Sequence, residues 1–159
     1  MDFNIRLATK GDMPSVLNLI KALAIYEKEP EAVLVTAKEL EENGFGNNPL
    51  FTCFVAEKDT EIIGIALCYL RFSTWKGKTL HLEDLIVTES YRGSGAGGKL
   101  LDEVIKLGHE LKVRRICWEV LDWNTNAIAF YEKKGAAILK DWYLAQMDEK
   151  SIDNYINSI

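Results

Sequence analysis

The stretch Arg92-Gly93-Ser94-Gly95-Ala96-Gly97-Gly98 joins a forked cation to four glycines and leads into a helical pattern from Lys99 to Leu111. Amides left free at a helix start bind anions, and glycines let a phosphate come close to the backbone. Arg92 adds a bidentate donor. Upstream, the apolar run Leu85-Ile86-Val87 follows two carboxylates, Glu83 and Asp84. The pattern reads as a pyrophosphate cradle with an acidic group one strand-length away. Gly93, Gly95 and Gly98 also satisfy G-x-G-x-x-G, with Glu119 near the offset of a ribose-binding acid. Three features stand against a dinucleotide site. Five residues separate Val87 from Gly93, the motif lies past mid-chain, and too few βα units follow to complete a doubly wound sheet.

The elements that must hold this stretch follow from pattern. Asn4 to Ala8 reads as a short strand, and Asp12 caps a helix with Pro14 in its first turn and Val16, Leu17, Ile20, Leu23 and Ala24 on one face. Thr36-Ala37-Lys38-Glu39 is a capping box opening a short helix that Gly44 ends. Phe51 to Glu57 and Glu61 to Phe72 form a hairpin across Lys58-Asp59-Thr60, and Thr79 to Thr88 extends the meander. After the glycine-led helix, Val113 to Leu121 runs parallel to the strand at Leu82 to Val87. Asn124 or Asn126 caps a helix through Lys134, closed by Gly135; a last hairpin, Ala136–Lys140 with Trp142–Met147, precedes a polar tail. The expected fold is α/β over one domain, residues 1–159: a mixed, mostly antiparallel sheet with one parallel pair near its middle and helices on both faces.

At 159 residues and a net charge of −5, the chain has room for a full core and an acidic surface that disfavours a nucleic-acid partner. No apolar run reaches membrane-spanning length and the N-terminus shows no signal-peptide pattern, so a cytoplasmic protein away from membranes is expected. Cys53, Cys68 and Cys117 lie in apolar strand-like stretches without metal-ligand spacing, which reads as buried free thiols and no metal site. His81 and His109 have no mutual spacing or triad partners and read as structural, and Cys117 reads as core rather than as an acyl carrier. In a regular strand Asp84 points away from the face of Glu83, which favours a structural hydrogen bond.

Arg92-x-x-Gly95-x-Gly97, opening a helix after a central strand, resembles the acyl-CoA pyrophosphate motif of the GNAT superfamily of N-acetyltransferases. Asn124…Asn126-Ala127-x-Ala129-Phe130-Tyr131-x-x-Lys134-Gly135-Ala136 resembles that superfamily's second cofactor segment. Ile5-Arg6, Leu23-Ala24, Tyr26-Glu27, Gly44-Phe45-Gly46, Trp75-x-Gly77-Lys78, Leu82-Glu83-Asp84 and Trp123-Asn124 are similar to the spermidine/spermine and thialysine N-acetyltransferases. The resemblance implies the acyl-CoA N-acyltransferase fold with a splayed central strand pair, acetyl-CoA as cosubstrate, and a homodimer. It implies that Leu85-Ile86-Val87 binds the pantetheine arm. Arg92, Gly93, Ser94, Gly95, Ala96, Gly97 and Gly98 then bind pyrophosphate, and Asn124, Asn126, Ala127 and Tyr131 flank the cofactor. Tyr131 matches the general acid and Glu83 the carboxylate that receives the amine proton. Tyr26, Glu27, Trp75, Glu83, Asp84 and Trp123 match the acceptor side. Ser73-Thr74 stands where polyamine sites of the family often carry an acidic residue before the tryptophan, which leaves other primary amines open.

Acetyl transfer suits these residue types. A primary ammonium with pKa near ~10.4 is neutral only about one part in a thousand at neutral pH. A carboxylate both attracts the cation and relays its proton, while a phenol can protonate a departing sulfur. The expected activity is direct acetyl transfer to a small cationic amine: a diamine, polyamine or lysine-like compound. The alternatives are acetylation of a protein or peptide, and a non-catalytic coenzyme A sensor.

Overall fold

The chain comprises two compact units, Met1–Glu119 and Val120–Ile159. The computed structural model describes residues 2–159. In the first unit the apolar runs build one sheet: β1 (Asn4–Leu7), β2 (Thr52–Lys58), β3 (Glu61–Ser73), β4 (Gly77–Val87) and β5 (Ile116–Cys117), in that spatial order. Pairing is antiparallel from β1 to β4 and parallel between β4 and β5. Asp59 and Thr60, both at positive φ, give the β2–β3 hairpin the two left-handed residues that a tight turn needs.

Three helices cover this sheet. Met13, Val16 and Leu19 of α1 (Met13–Tyr26) and Leu40 of α2 (Ala37–Phe45) pack on Cys53, Val55, Ile65, Leu67 and Ile86. On the other face α3 (Ala96–Glu110) lies against β2, β3 and β4 through fully buried Leu100, Leu101 and Val104. Each such side chain contributes roughly 1.5–3 kcal/mol. Gly64 makes this approach possible: a Cβ there would meet Ile86 O at 2.9 Å and Leu100 Cδ1 at 3.2 Å.

Local chemistry sets the helix ends. Thr36 and Glu39 form the expected capping box, and α2 continues one residue past Gly44 to a cap at Gly46. Asp12 is the cap residue of α1, but its carboxylate serves the Arg6 guanidinium and the Thr9 amide rather than the helix. Helix α3 starts earlier than its apolar pattern, taking in Ala96, Gly97 and Gly98.

Two strand expectations are corrected. The run Val113–Leu121 is strand only at Ile116–Cys117, because its parallel ladder stops at the His81–Cys117 pair. In the second unit, Ala136–Met147 forms no strand, and Leu139, Trp142, Tyr143, Leu144 and Met147 are exposed. Helix α5 (Glu149–Ile156) replaces the expected polar tail, capped by Asp148, whose side chain accepts from the Ser151 amide at 2.8 Å. Helix α4 (Thr125–Lys133) is capped by Asn124, which accepts from the Ala127 amide at 3.3 Å.

Candidate active site

Gly93 and Gly95 adopt left-handed φ values of 77° and 91° between β4 and α3. Gly95 is the cap residue of α3 and offers no side chain to the helix amides, so the first turn presents its N–H groups to whatever lies beyond it. Ser94 Oγ accepts only weakly from the Ala96 amide, at 3.4 Å. Arg92 stands at the entrance, its Nε 3.5 Å from Val87 O and its guanidinium 4.9 Å from the centre of the Tyr26 ring. A cavity of about 990 Å³ runs beside it between α1 and the end of β4, walled by Asn18, Tyr26, Ile86, Val87, Glu89 and Arg92. The Arg92 guanidinium, the open helix amides and a roomy wall that is apolar apart from Glu61, Glu89 and a few neutral polar groups fit a long ligand with an anionic diphosphate at the Arg92 end.

The acidic residues are positioned by a bulge. Asp84 lies opposite Leu67 and Leu82 opposite Cys68, so Glu83 is an extra residue on β4. His81 lies opposite Tyr69, which shares a face of β3 with Leu67. The expectation that Glu83 and Asp84 point to opposite faces assumes a regular strand. With the bulge, His81, Glu83 and Asp84 all serve the face that carries Tyr69. Tyr69 OH donates to Glu83 Oε2 at 2.8 Å. His81 Nε2 lies 3.4 Å from that oxygen and 3.2 Å from Glu119 Oε2. Burial, then the nearby charges of Glu83 and Glu27, push the Asp84 carboxyl up to about 7. Burial also raises Glu27, which caps the C-terminus of α1. Burial and the hydrogen bond to Glu83 push the Tyr69 phenol up to about 12. Carboxyl groups held this way gain from a cation among them.

The first unit thus brings Tyr26 to Arg92 and sets Glu27 and Glu83 each within electrostatic reach of Asp84. Trp75 is not joined to either group: it sits on the β3–β4 turn, 79% exposed, where Ser73 Oγ accepts from its amide. In the second unit Asn124 and Ala127 close the start of α4, Asn126 lies in its first turn, and Tyr131 is buried near its end with its ring 5.3 Å from that of Phe130. Trp123 is half-exposed one residue before the cap. Two residues of the carboxylate cluster escaped the sequence reading. His81, read as structural, contacts Glu83 directly, and Glu119 reaches the same imidazole. Strand alternation of His81 with Glu83 was the available signal.

Among the described residues no group of three His, Cys, Asp or Glu side chains could hold a metal ion, and no helix is long and apolar enough to cross a membrane. Cys53, Cys68 and Cys117 are free thiols.

Residues 15–136 match the acetyltransferase (GNAT) family profile. The chain is 34% identical over 160 residues to spermidine/spermine N(1)-acetyltransferase-like protein 1 of Homo sapiens, an alignment covering 94% of this chain and 23% of that protein. It is 36% identical over 145 residues to thialysine N-epsilon-acetyltransferase of Bos taurus, covering 86% and 85% of the two chains. An integron cassette protein from the mobile metagenome of V. cholerae superposes with a TM-score of 0.79 at 19% identity, over 98% of each chain. The glycine turn at the start of α3, the bulged acidic strand beside it and a match over most of the chain lead to one conclusion: this protein belongs to the acetyltransferase (GNAT) family.

Proposed function

We propose that the chain, acting as one N-acetyltransferase domain over residues 1–159, uses acetyl-CoA to acetylate a primary amine on a small cationic acceptor. The observation that carries the reading is the side-chain-free turn at Gly93 and Gly95, which opens the amides of α3 beside Arg92 and the cavity along α1. Ala96, Gly97 and Gly98 amides and the Arg92 guanidinium hold the diphosphate, with Ser94 at the turn. The backbone of Leu85, Ile86 and Val87 holds the pantetheine arm, and Asn124, Asn126 and Ala127 flank it. Acetyl-CoA supplies a thioester, an acyl group already activated toward nitrogen.

The protein's own contribution is charge and protons. Glu83, Asp84 and Glu27 draw in an ammonium group, and Tyr26, Trp75 and Trp123 cover the acceptor. Glu83 receives the amine proton, directly or through water, so the nitrogen lone pair becomes available. Tyr131 donates a proton to the departing sulfur. The likeness to proteins named for thialysine and for spermidine/spermine supports an acceptor with an aliphatic primary amine. A cytoplasmic setting and, by family resemblance, a homodimer complete the reading.

Titrating coenzyme A and acetyl-CoA calorimetrically, then following thiol release across diamines, polyamines, lysine analogues and peptides, tests the proposal. Binding with transfer to small amines is the expected result. No coenzyme A uptake would overturn the proposal, transfer to peptides alone would make the chain a protein acetyltransferase, and binding without transfer would make it a sensor.

A further inference from the structure

His81 is buried to 3% exposure among charged groups, on a strand whose other buried side chains are Thr79, Leu80, Leu82 and Ile86. Its two nitrogens face opposite kinds of partner. Arg71 Nη1 lies 2.9 Å from Nδ1, and the Cys117 thiol lies 3.7 Å from the same nitrogen. A guanidinium has only hydrogens to give, so Nδ1 is the acceptor and the ring proton sits on Nε2. Nε2 lies 3.4 Å from Glu83 Oε2 and 3.2 Å from Glu119 Oε2, within ion-pair distance of both. Tyr69 OH donates to the same Glu83 oxygen and stacks at a tilt on the imidazole, with ring centres 5.1 Å apart.

We propose that His81, locked by Arg71 as the Nε2–H tautomer, is a positioning residue for Glu83, fixing one carboxylate oxygen together with Tyr69. This rests on Glu83 being the acceptor-side carboxylate. Glu83 is the bulged residue of β4 and lacks a register partner on β3, so strand pairing alone does not fix its side chain. The Tyr69 hydrogen bond and the polar contact of the imidazole, both at one oxygen, supply the missing constraint and leave the second oxygen for the amine. Glu119 Oε2, the nearer of the two carboxylate oxygens to Nε2, balances Arg71 across the ring. The line from Cys117 through His81 to Glu119 has the order of a thiol–imidazole–carboxylate relay. Arg71 occupies the Nδ1 lone pair at the shorter distance, so the imidazole is not a base for that thiol.

Nitrogen-15 spectra of the full chain report the tautomer directly, apart from any activity. A protonated Nε2 with a bare Nδ1 at His81 is expected at neutral pH; the opposite tautomer overturns the lock. In kinetics, His81→Phe should lower kcat about tenfold, the loss of one polar contact to a charged group, without changing KM for acetyl-CoA. His81→Gln, which restores an amide donor, should recover most of that loss. Equal losses in both variants at unchanged melting temperature would reduce His81 to packing. In a Glu83→Gln background His81→Phe should cost nothing further, whereas an additive loss would detach His81 from Glu83. Unchanged turnover in Glu83→Gln alone would instead remove the role of Glu83, and the positioning role with it. Cys117→Ala should keep wild-type turnover; its loss would assign Nδ1 to the thiol and overturn the lock.

Discussion

The Arg92 guanidinium lies over the Tyr26 ring, 4.9 Å from its centre, at the mouth of the cavity between α1 and β4. The contact links the cation proposed for the diphosphate to a tyrosine that family resemblance assigns to the acceptor. An aromatic face under a partly exposed arginine contributes about 0.5–1 kcal/mol and restrains the side chain. Tyr26→Ala should therefore raise KM for acetyl-CoA by roughly two- to fivefold, and Tyr26→Phe should leave it unchanged. Initial rates with each substrate varied in turn check this. A change confined to KM for the amine would place Tyr26 on the acceptor alone.

Gly95 and Gly97 separate backbone conformation from phosphate approach. Gly95 holds φ at 91° with nothing within 4 Å of a built Cβ, so Gly95→Ala suffers only left-handed strain, about 1–2 kcal/mol. Its melting temperature should fall by roughly 2–8 °C, and coenzyme A affinity should fall with it. Gly97 is helical, and its Cβ would meet Val87 Cγ2 at an ordinary 3.6 Å. Gly97→Ala should raise stability by about 0.5–1 kcal/mol, as alanine does in a helix, yet weaken coenzyme A binding. Thermal melts paired with calorimetry read both signs; unchanged affinity in Gly97→Ala would remove the close approach of phosphate at that position.

These contrasts show what sequence pattern could and could not carry. The hairpin at Asp59-Thr60, the capping box at Thr36 and the anion turn at Arg92–Gly98 are local, and short-range chemistry specifies each. The bulge at Glu83 depends on which β3 residue stands opposite, so alternation along β4 alone misassigned the side of Asp84. Parallel pairing at β5 depends equally on β4, and it ends at Cys117 although the apolar run continues. Ala136–Met147 has a strand's composition without ladder partners, and composition supplies no hydrogen bonds. Helix α5 was legible in principle, because Asp148 precedes Ser151 at capping distance, but its polar sequence hid it.

Asp84 makes stability depend on pH. Its carboxyl is pushed up to about 7 by burial and by Glu83 and Glu27. An unfolded aspartate titrates near ~3.9. The native state therefore binds this proton more tightly, and its stabilising contribution is full below about pH 4 and lost as pH rises through about 7. Asp84→Asn removes that slope: the variant should melt above the parent in mild alkali and level with it in mild acid. Melts at both ends of the window check the sign. Parallel curves for the two proteins would show that Asp84 is ionised throughout.

Tyr131 separates chemistry from binding. It is 8% exposed near the end of α4, its ring beside Phe130, so most of the side chain is a packing element whatever its hydroxyl does. Tyr131→Phe keeps that ring and deletes only the proton donor. As general acid to the departing sulfur, the phenol should be worth about 10²- to 10⁴-fold in kcat, with the dissociation constant for acetyl-CoA unchanged. Asn124→Ala provides the contrast, because it removes the cap on the Ala127 amide and should cost roughly 0.5–2 kcal/mol of helix stability. A loss that comes from loosening α4 appears in Asn124→Ala and lowers its melting temperature. A loss of proton donation appears in Tyr131→Phe with the melting temperature held. Single-turnover thiol release, measured with saturating acetyl-CoA, isolates the step; a Tyr131→Phe rate equal to the parent's would take the tyrosine out of the proton path.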